Sequence, residues 1–428
     1  MTVISAPHLW KNTAAPGVEE FYPLNEPPIG TPYSKDDFPR NKLIPKLFQP
    51  LHIRGVEFKN RIWVAPMAQY SAVNGHMTDW HLVHLGGFSV RGAGAVMFEP
   101  TAVTPEGRHT PEDPGIWSDT HIAPMKRIVD FIHGQGGIAG IQFAHAGRKA
   151  SALAPFVLER RAGAGYTGTR ADIAGVEDGG WPERIISSSD IPHSERFFQP
   201  RPVTEEDMKE ILQAYADAVE RSKKIGFDFI EIHGAHGYLL HSFYSPISNN
   251  RTDKYGGSLE NRLRFPLEVI RTVRAAWDKP LLFRFSATDW AETEKNESGE
   301  WESWGIEQSV ELSRRAQAEG VDLVDVSSGG NYSKQQISFG TYQVPFAARI
   351  KKELPDLLVA AVGLVTQPHQ AEEILQQGKA DAVLFGRELL RNIDFPLKAA
   401  QALGVVVKPA IQYELGWRAP VVQGDNST

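Results

Sequence analysis

The sequence predicts a (β/α)8 barrel, eight parallel strands closed on themselves and ringed by helices, from three observations. Eight short apolar runs recur along the chain, amphipathic stretches separate most of them, and the last two runs each lead into a glycine-bearing loop. Parallel strands covered on both faces read as continuous apolar runs, and the helices between them carry a 3.6-residue period. Eight such units favour a closed barrel over a doubly wound open sheet.

Taken in order, residues 1–45 repeat proline (Pro7, Pro16, Pro23, Pro27, Pro28, Pro32, Pro39) and show neither period. That segment is expected to be an extended tail or a strap on the outside of the fold, without a catalytic role. Residues 46–420 form the barrel and 421–428 a C-terminal tail. The strands are expected at Ile62–Met67, Ala95–Glu99, Ile138–Phe143, Phe229–His233, Leu281–Phe285, Leu323–Val326, Leu358–Ala361 and Ala382–Phe385. Thr204-Glu205-Glu206-Asp207 is a variant capping box, and Met208, Ile211, Leu212, Tyr215 and Val219 follow at helical intervals. The helix they define ends near Gly226. Two connections, Ser151 to Pro202 and Asp289 to Trp304, are too long for turns. Both follow strands, so both belong to the catalytic face as lids or pocket walls, or for the second simply as surface decoration.

Composition narrows the function. With 428 residues, 41% hydrophobic and 23% charged, the chain can bury a large core. A formal net charge of -7 without a Lys/Arg block argues against nucleic acid or an anionic membrane as partner. Cysteine is absent, which removes disulfides, thiolate nucleophiles, thiolate-bound zinc and cysteine-ligated iron–sulfur clusters together. No apolar segment reaches spanning length, and no basic stretch leads into an apolar N-terminal core, so the expected location is cytoplasmic. Small-molecule chemistry is the default.

The loops after the last two runs carry a phosphate signal. Ala361-Val362-Gly363 and Phe385-Gly386-Arg387-Glu388 occupy the positions where barrels of this class cradle phosphate. Glycines let backbone N–H groups approach an anion, and Arg387 adds a fixed fork of donors. Either loop alone could merely close a tight turn.

Chemistry is expected at the end of the fourth run, where Ile230-Glu231-Ile232 leads into His233-Gly234-Ala235-His236-Gly237-Tyr238. A lone histidine at a strand end is usually a satisfied structural donor, and a pair can begin a metal site. A metal needs a third ligand, and His81 and His84 sit on another element. A third reading uses more residues: two imidazoles donate to one substrate oxygen while a phenol delivers a proton.

Glu231-Ile232-His233-Gly234-Ala235-His236-Gly237-Tyr238-Leu239, followed by Ser245-Pro246-Ile247-Ser248-Asn249-Asn250-Arg251-Thr252-Asp253-Lys254-Tyr255-Gly256-Gly257-Ser258, strongly resembles the old yellow enzyme family of flavin-dependent ene-reductases. The likeness runs from about Leu47 to Trp417 through Ala65-Pro66-Met67, Gln142 to Lys149 and Gly386-Arg387-Glu388-Leu389-Leu390. The His/His pair and the Gln412-Tyr413-Glu414-Leu415-Gly416-Trp417 ending resemble the thermophilic-like subgroup.

The resemblance implies FMN held noncovalently at the barrel mouth, reduced by NADPH or NADH and reoxidised by an activated alkene. It places Ala65, Pro66, Met67, Ala68 and Pro100 along the flavin, Gln142 and Arg284 at its polar edge, and Gly363, Gly386 and Arg387 on the phosphate. An arginine near the N1/C2 edge suits a reduced flavin that is anionic there. His233 and His236 would bind the carbonyl or nitro oxygen, flavin N5 would deliver hydride, and Tyr238 would protonate the neighbouring carbon. Tyr70 would touch bound ligand. No metal is implied, and a homo-oligomer, most simply a dimer, is expected. A metal-dependent barrel hydrolase and a phosphate-ligand barrel without flavin are the competing classes.

Three positions depart from the subgroup. Ala68 stands where a cysteine near the flavin C4 carbonyl is usual, and Pro100 lacks the backbone N–H often supplied there. Both losses are expected to lower the flavin potential. Leu415 replaces an arginine that reaches into a neighbouring subunit's site, which puts shared active sites in doubt.

Overall fold

The computed structural model describes residues 14–20, 25–36, 38–39, 41–163, 173–291, 295–296, 299, 301–337 and 343–418. The tail 421–428 and parts of both long connections, 164–172 and 292–294 among them, lie outside the described residues.

All eight expected strands form, as β1 (Ile62–Val64), β2 (Ala95–Ala102), β3 (Ala139–Ala144), β4 (Phe229–Gly234), β5 (Leu281–Ser286), β6 (Leu323–Ser327), β7 (Leu358–Val362) and β8 (Ala382–Phe385). Each pairs in parallel with its neighbour in sequence, and β8 pairs with β1, so the barrel closes. Closure leaves no edge strand to protect. Two boundaries differ from expectation for identifiable reasons. The β1 ladder ends at Val64, because Ala65 to Met67 turn away over the barrel mouth. β2 runs on through Pro100, where the register against β3 shifts between Phe98 and Pro100. A proline cannot donate to a ladder, so a bulge is the place a strand tolerates one.

The helices follow in βα order: α1 (Asp79–Ser89), α2 (Ile122–Gly134), α3 (Glu205–Ile225), α4 (Leu259–Ala276), α5 (Ile306–Ala318), α6 (Val344–Glu353), α7 (Pro368–Gln376) and α8 (Phe395–Ala402). α3 begins with the expected capping box, the Thr204 hydroxyl accepting from Asp207 N and the Asp207 carboxylate accepting from Thr204 N. It ends at Gly226 in the left-handed conformation. Its Met208, Ile211, Tyr215 and Val219 are buried against the strands, whereas Leu212 is half-buried.

One end of the barrel is plugged. A hairpin of Leu51–Ile53 and Val56–Phe58 brings the Phe58 ring onto Trp63, with centroids 4.4 Å apart, and Phe229 closes on the pair. Stacked and edge-on aromatic contacts of this kind add to the area they bury. Only the carboxyl ends of the strands are left open for a site. On the outside, residues around Gly30 to Tyr33 run beside Val406 to Lys408, with Gly30 N donating to Lys408 O and Tyr33 N to Val406 O.

Candidate active site

Side chains pointing into the barrel form tiers, because alternate residues of each strand face inward. The lowest is apolar, with Trp63, Phe229, Leu282 and Leu323. The next is polar and almost completely buried: Gln142, Glu231, Arg284 and Asp325, one from each of β3 to β6. Gln142 Nε2 donates to Glu231 Oε1 at 2.6 Å, and Arg284 Nε donates to Asp325 Oδ2 at 2.5 Å. Burial, and then the neighbouring Asp325, push the Glu231 carboxyl up to about 8. Gln142 Oε1 is buried and without a partner among the described residues. A buried carbonyl left unsatisfied is costly, so this atom points to a ligand donor.

Above this tier opens a cavity of about 560 Å³ lined by Ala65, Pro66, Met67, Arg284, Gly363, Gly386 and Arg387. Seven of the ten expected cofactor residues thus share one wall, and the volume suits a cofactor of ordinary size. The remaining three sit apart: Gln142 lies beneath, fully buried, and Ala68 and Pro100 line a smaller hollow beside Tyr238. Gly363 holds φ +104°, and a Cβ there would lie 2.5 Å from Gln343 Nε2. The backbone N–H groups of Gly363, Gly386 and Arg387 carry no hydrogen bond among the described residues. Free N–H groups beside a guanidinium form an anion cradle. The residues present therefore fit a phosphate-bearing cofactor with a polar ring edge, as FMN has.

Sequence reasoning missed part of the wall. Ser327, Ser328 and Gln343 also line the cavity. Gln343 Nε2 donates to Val362 O at 2.7 Å while its Oε1 accepts from Ser328 at 2.9 Å, so it ties β7 to the loop after β6.

The loop after β4 folds tightly. His236 has φ +59° and Gly237 φ +75°, and a Cβ on Gly237 would lie 2.4 Å from Gly330 O. His236 N donates to Ser286 Oγ at 3.0 Å, and the Lys149 ammonium donates to the carbonyls of His236 and Gly330. Below, His241 accepts from Gly237 N and meets Asp289 Oδ1 at 2.9 Å, a buried pair that roots the second long loop under the site. Sequence reasoning did not single out His241 or Lys149.

His233 and His236 face each other, Nε2 to Nδ1 at 3.3 Å. Burial holds both well below the usual imidazole value, so both are neutral. His233 Nδ1 accepts from Ala235 N at 3.0 Å, which assigns its proton to Nε2, on the side of His236. Tyr238 caps the short helix Leu239–Tyr244, and its ring lies 4.8 Å from that of His233. Burial raises its phenol above the ordinary value, so it is protonated at neutral pH. The structure brings all three predicted catalytic residues into one cluster.

Tyr70, at φ +51°, lies at the rim with its ring 6.0 Å from Phe156. Phe156 belongs to a helix, Pro155–Gly163, in the first long connection, so that connection contributes a wall at this rim. Leu415 is exposed on the helix Glu414–Arg418. No group of three or more His, Cys, Asp or Glu among the described residues is placed to hold a metal ion.

The sequence profile of the NADH:flavin oxidoreductase / NADH oxidase family matches residues 46–405. The NADH:flavin oxidoreductase FG08077 of Gibberella zeae is 44% identical over 415 residues, covering 95% of this chain and 96% of that protein. An NADPH dehydrogenase of Geobacillus sp. strain WCH70 is 41% identical over 374 residues, covering 87% and 98%. Among solved structures, morphinone reductase superposes with a TM-score of 0.66 at 23% identity over 86% of this chain and 92% of its own, a likeness of fold.

Proposed function

The chain belongs to the NADH:flavin oxidoreductase / NADH oxidase family, and from that premise we propose that it reduces the activated C=C bond of α,β-unsaturated carbonyl or nitro compounds. It is a flavin-dependent oxidoreductase of the NAD(P)H dehydrogenase type, acting on small molecules. The chemistry FMN would supply when bound is hydride transfer, from NADPH or NADH to the alkene in a ping-pong cycle. Ala65, Pro66 and Met67 would flank it, with Ala68 and Pro100 towards Tyr238. Gln142 and Arg284 would meet its polar edge, and Gly363, Gly386 and Arg387 its phosphate.

The chain's own residues supply the rest. The observation that carries the reading is the cluster of two neutral imidazoles and a protonated phenol beside the cavity, His236 lining the cavity itself. His233 Nε2–H and a donating His236 would hold the carbonyl or nitro oxygen, drawing electron density from the distal alkene carbon. Tyr238 is half-buried and protonated, as a general acid must be to give its proton to the neighbouring carbon. Tyr70 and Phe156 bound the space the substrate would enter. A metal-dependent hydrolase would leave Tyr238 and the Gly386-Arg387 loop without a role.

Two further readings belong with this one. A homo-oligomer, most simply a dimer, is consistent with the exposed C-terminal Leu415 and Tyr413. No described helix is long and apolar enough to cross a membrane, which agrees with a cytoplasmic enzyme. The test is direct: purified protein should be yellow or become so with FMN, and bleach anaerobically with NADPH or NADH. Colour should return on adding an enone. Protein that neither carries nor takes up FMN would refute the proposal.

A further inference from the structure

We propose that Glu231 and Asp325 form a carboxyl pair holding one proton, on Glu231, so that the charge on Asp325 offsets Arg284 and limits how strongly the site favours a reduced, anionic flavin. The proposal rests on the FMN reading of the cavity. Both are positioning residues that act through Arg284 and Gln142.

Charge counting raises the question. The polar tier holds two carboxyls and one guanidinium, with Glu231 and Asp325 fully buried and Arg284 nearly so. The tier beneath them is apolar, formed by Trp63, Met97, Phe229, Leu282, Leu323 and Leu384, and offers no counter-charge. Above, His233 is neutral, and Lys149, whose amine burial lowers to about 7, is committed to two backbone carbonyls. β3 contributes only the uncharged Gln142. Arg284 on β5 is therefore the cation that both carboxyls must share.

They share it unequally. Asp325 Oδ2 accepts from Arg284 Nε at 2.5 Å and is in ion-pair contact with Nη2, which makes no hydrogen bond among the described residues. Glu231 Oε1 lies 3.7 Å from Arg284 Nε and receives an amide N–H from Gln142 instead. The two carboxyls are hydrogen-bonding neighbours, yet no donor among the described residues reaches Glu231 Oε2 or Asp325 Oδ1. Two carboxylates in contact in a dry interior do not both ionise. The proton settles on the carboxyl with the weaker cation contact, Glu231, whose O–H can then supply Asp325 with the missing donor.

The consequences reach the cofactor. A bare guanidinium at the N1/C2 edge would stabilise the anionic reduced ring strongly, and one already paired with Asp325 does so less. Glu231 meanwhile engages the Gln142 amide through its N–H and leaves Gln142 Oε1 as the free acceptor.

Two substitutions separate the roles. In Asp325→Asn alone Glu231 is freed to ionise and take over as counter-ion to Arg284, so the double variant Asp325→Asn/Glu231→Gln, which leaves no carboxyl beside the guanidinium, should raise the midpoint potential of bound FMN. Glu231→Gln alone, which has the shape of a neutral carboxyl, should leave the midpoint unchanged. A rise in Glu231→Gln alone, or no rise in the double variant, overturns the proposal. If the double variant does not fold, the infrared spectrum of the wild-type protein decides. A carboxylic-acid C=O band should be present at neutral pH and lost in Glu231→Gln, and a spectrum in which Glu231→Gln removes no such band refutes the assignment. Flavin absorbance reports FMN uptake separately, and the infrared band is read with or without flavin, so failure of the FMN reading would not be mistaken for failure of this one.

Discussion

His236 Nε2 lies 2.7 Å from the hydroxyl of Ser327, and that contact decides how the imidazole can donate. In the structure His236 Nδ1 accepts from His233 Nε2 and the Ser327 O–H donates to Gln343 Oε1, so the His236 proton sits on Nε2 and is given to Ser327 Oγ. Turning that hydroxyl to donate to Nε2 moves the proton to Nδ1, on the side of His233. A substrate oxygen arriving there meets two N–H donors. With the opposite tautomer it meets one donor and one lone pair. Ser327→Ala should therefore weaken binding of phenols and of enones by roughly two- to tenfold, as expected for about 0.5–1.5 kcal/mol from one hydrogen bond. Titrating the flavin absorbance with a phenol measures this, and unchanged affinity would show that His236 does not depend on Ser327.

Beside Tyr238 the buried Asp113 carboxyl is raised to about 7, but both its oxygens are engaged by the His109 and Thr110 N–H groups and the Thr110 hydroxyl. His109, 5.8 Å away ring to ring, is buried and held at about 4, so it carries no proton to give at neutral pH. Tyr238→Phe is expected to slow alkene reduction by about two to four orders of magnitude while leaving reduction of the flavin by NAD(P)H nearly intact. Anaerobic stopped-flow of the two half-reactions separates these effects. Equal damage to both halves would remove Tyr238 from the proton step.

The barrel was legible because each strand is covered on both faces and so writes itself as an apolar run. The tiers were legible only in hindsight. Glu231 and His233, Arg284 and Ser286, and Asp325 and Ser327 stand two apart, the period that sends both members of a pair inward. Polar residues at that spacing inside a buried strand signal a polar tier. Ser328 and Gln343 were hidden for a different reason. They reach the cavity from separate stretches of chain, and no local pattern joins them. His241 and Asp289, which support the catalytic loop from below, are likewise 48 residues apart.

The hollow shared by Ala68, Pro100 and Tyr238 allows a test of the missing thiol. Neither Ala68 nor Pro100 can donate a hydrogen bond from its side chain, and Pro100 cannot donate from its backbone. Ala68→Cys should restore a weak donor on that side of the flavin and raise its midpoint potential. A redox titration in which the cysteine variant matches or falls below the parent would count against Ala68 as a flavin neighbour.

Gly363 tests the phosphate cradle. An alanine there would adopt a left-handed φ of +104° and press its Cβ to 2.5 Å from Gln343 Nε2, which already holds Val362 O. A strain of about 1–2 kcal/mol is ordinary for a side chain forced into that region. Gly363→Ala should accordingly weaken FMN binding roughly five- to thirtyfold, measured by fluorescence titration of the flavin-free protein. Retention of FMN at parental affinity would place the phosphate elsewhere.

Glu231 also makes stability depend on pH, with a sign that can be worked out. Its folded value is raised to about 8 from an ordinary 4.5, chiefly by burial. Between those values the folded protein keeps a proton that the unfolded chain releases, so unfolding becomes easier as pH rises. The contribution is full below 4.5 and is lost progressively until pH passes about 8. Gln at 231 holds the same shape without a titrating proton. Glu231→Gln should therefore gain on the parent in Tm from pH 5 towards pH 8 and keep a constant advantage above it, as measured by calorimetry across that range. Parallel Tm profiles for the two proteins would mean that Glu231 is ionised in the folded barrel.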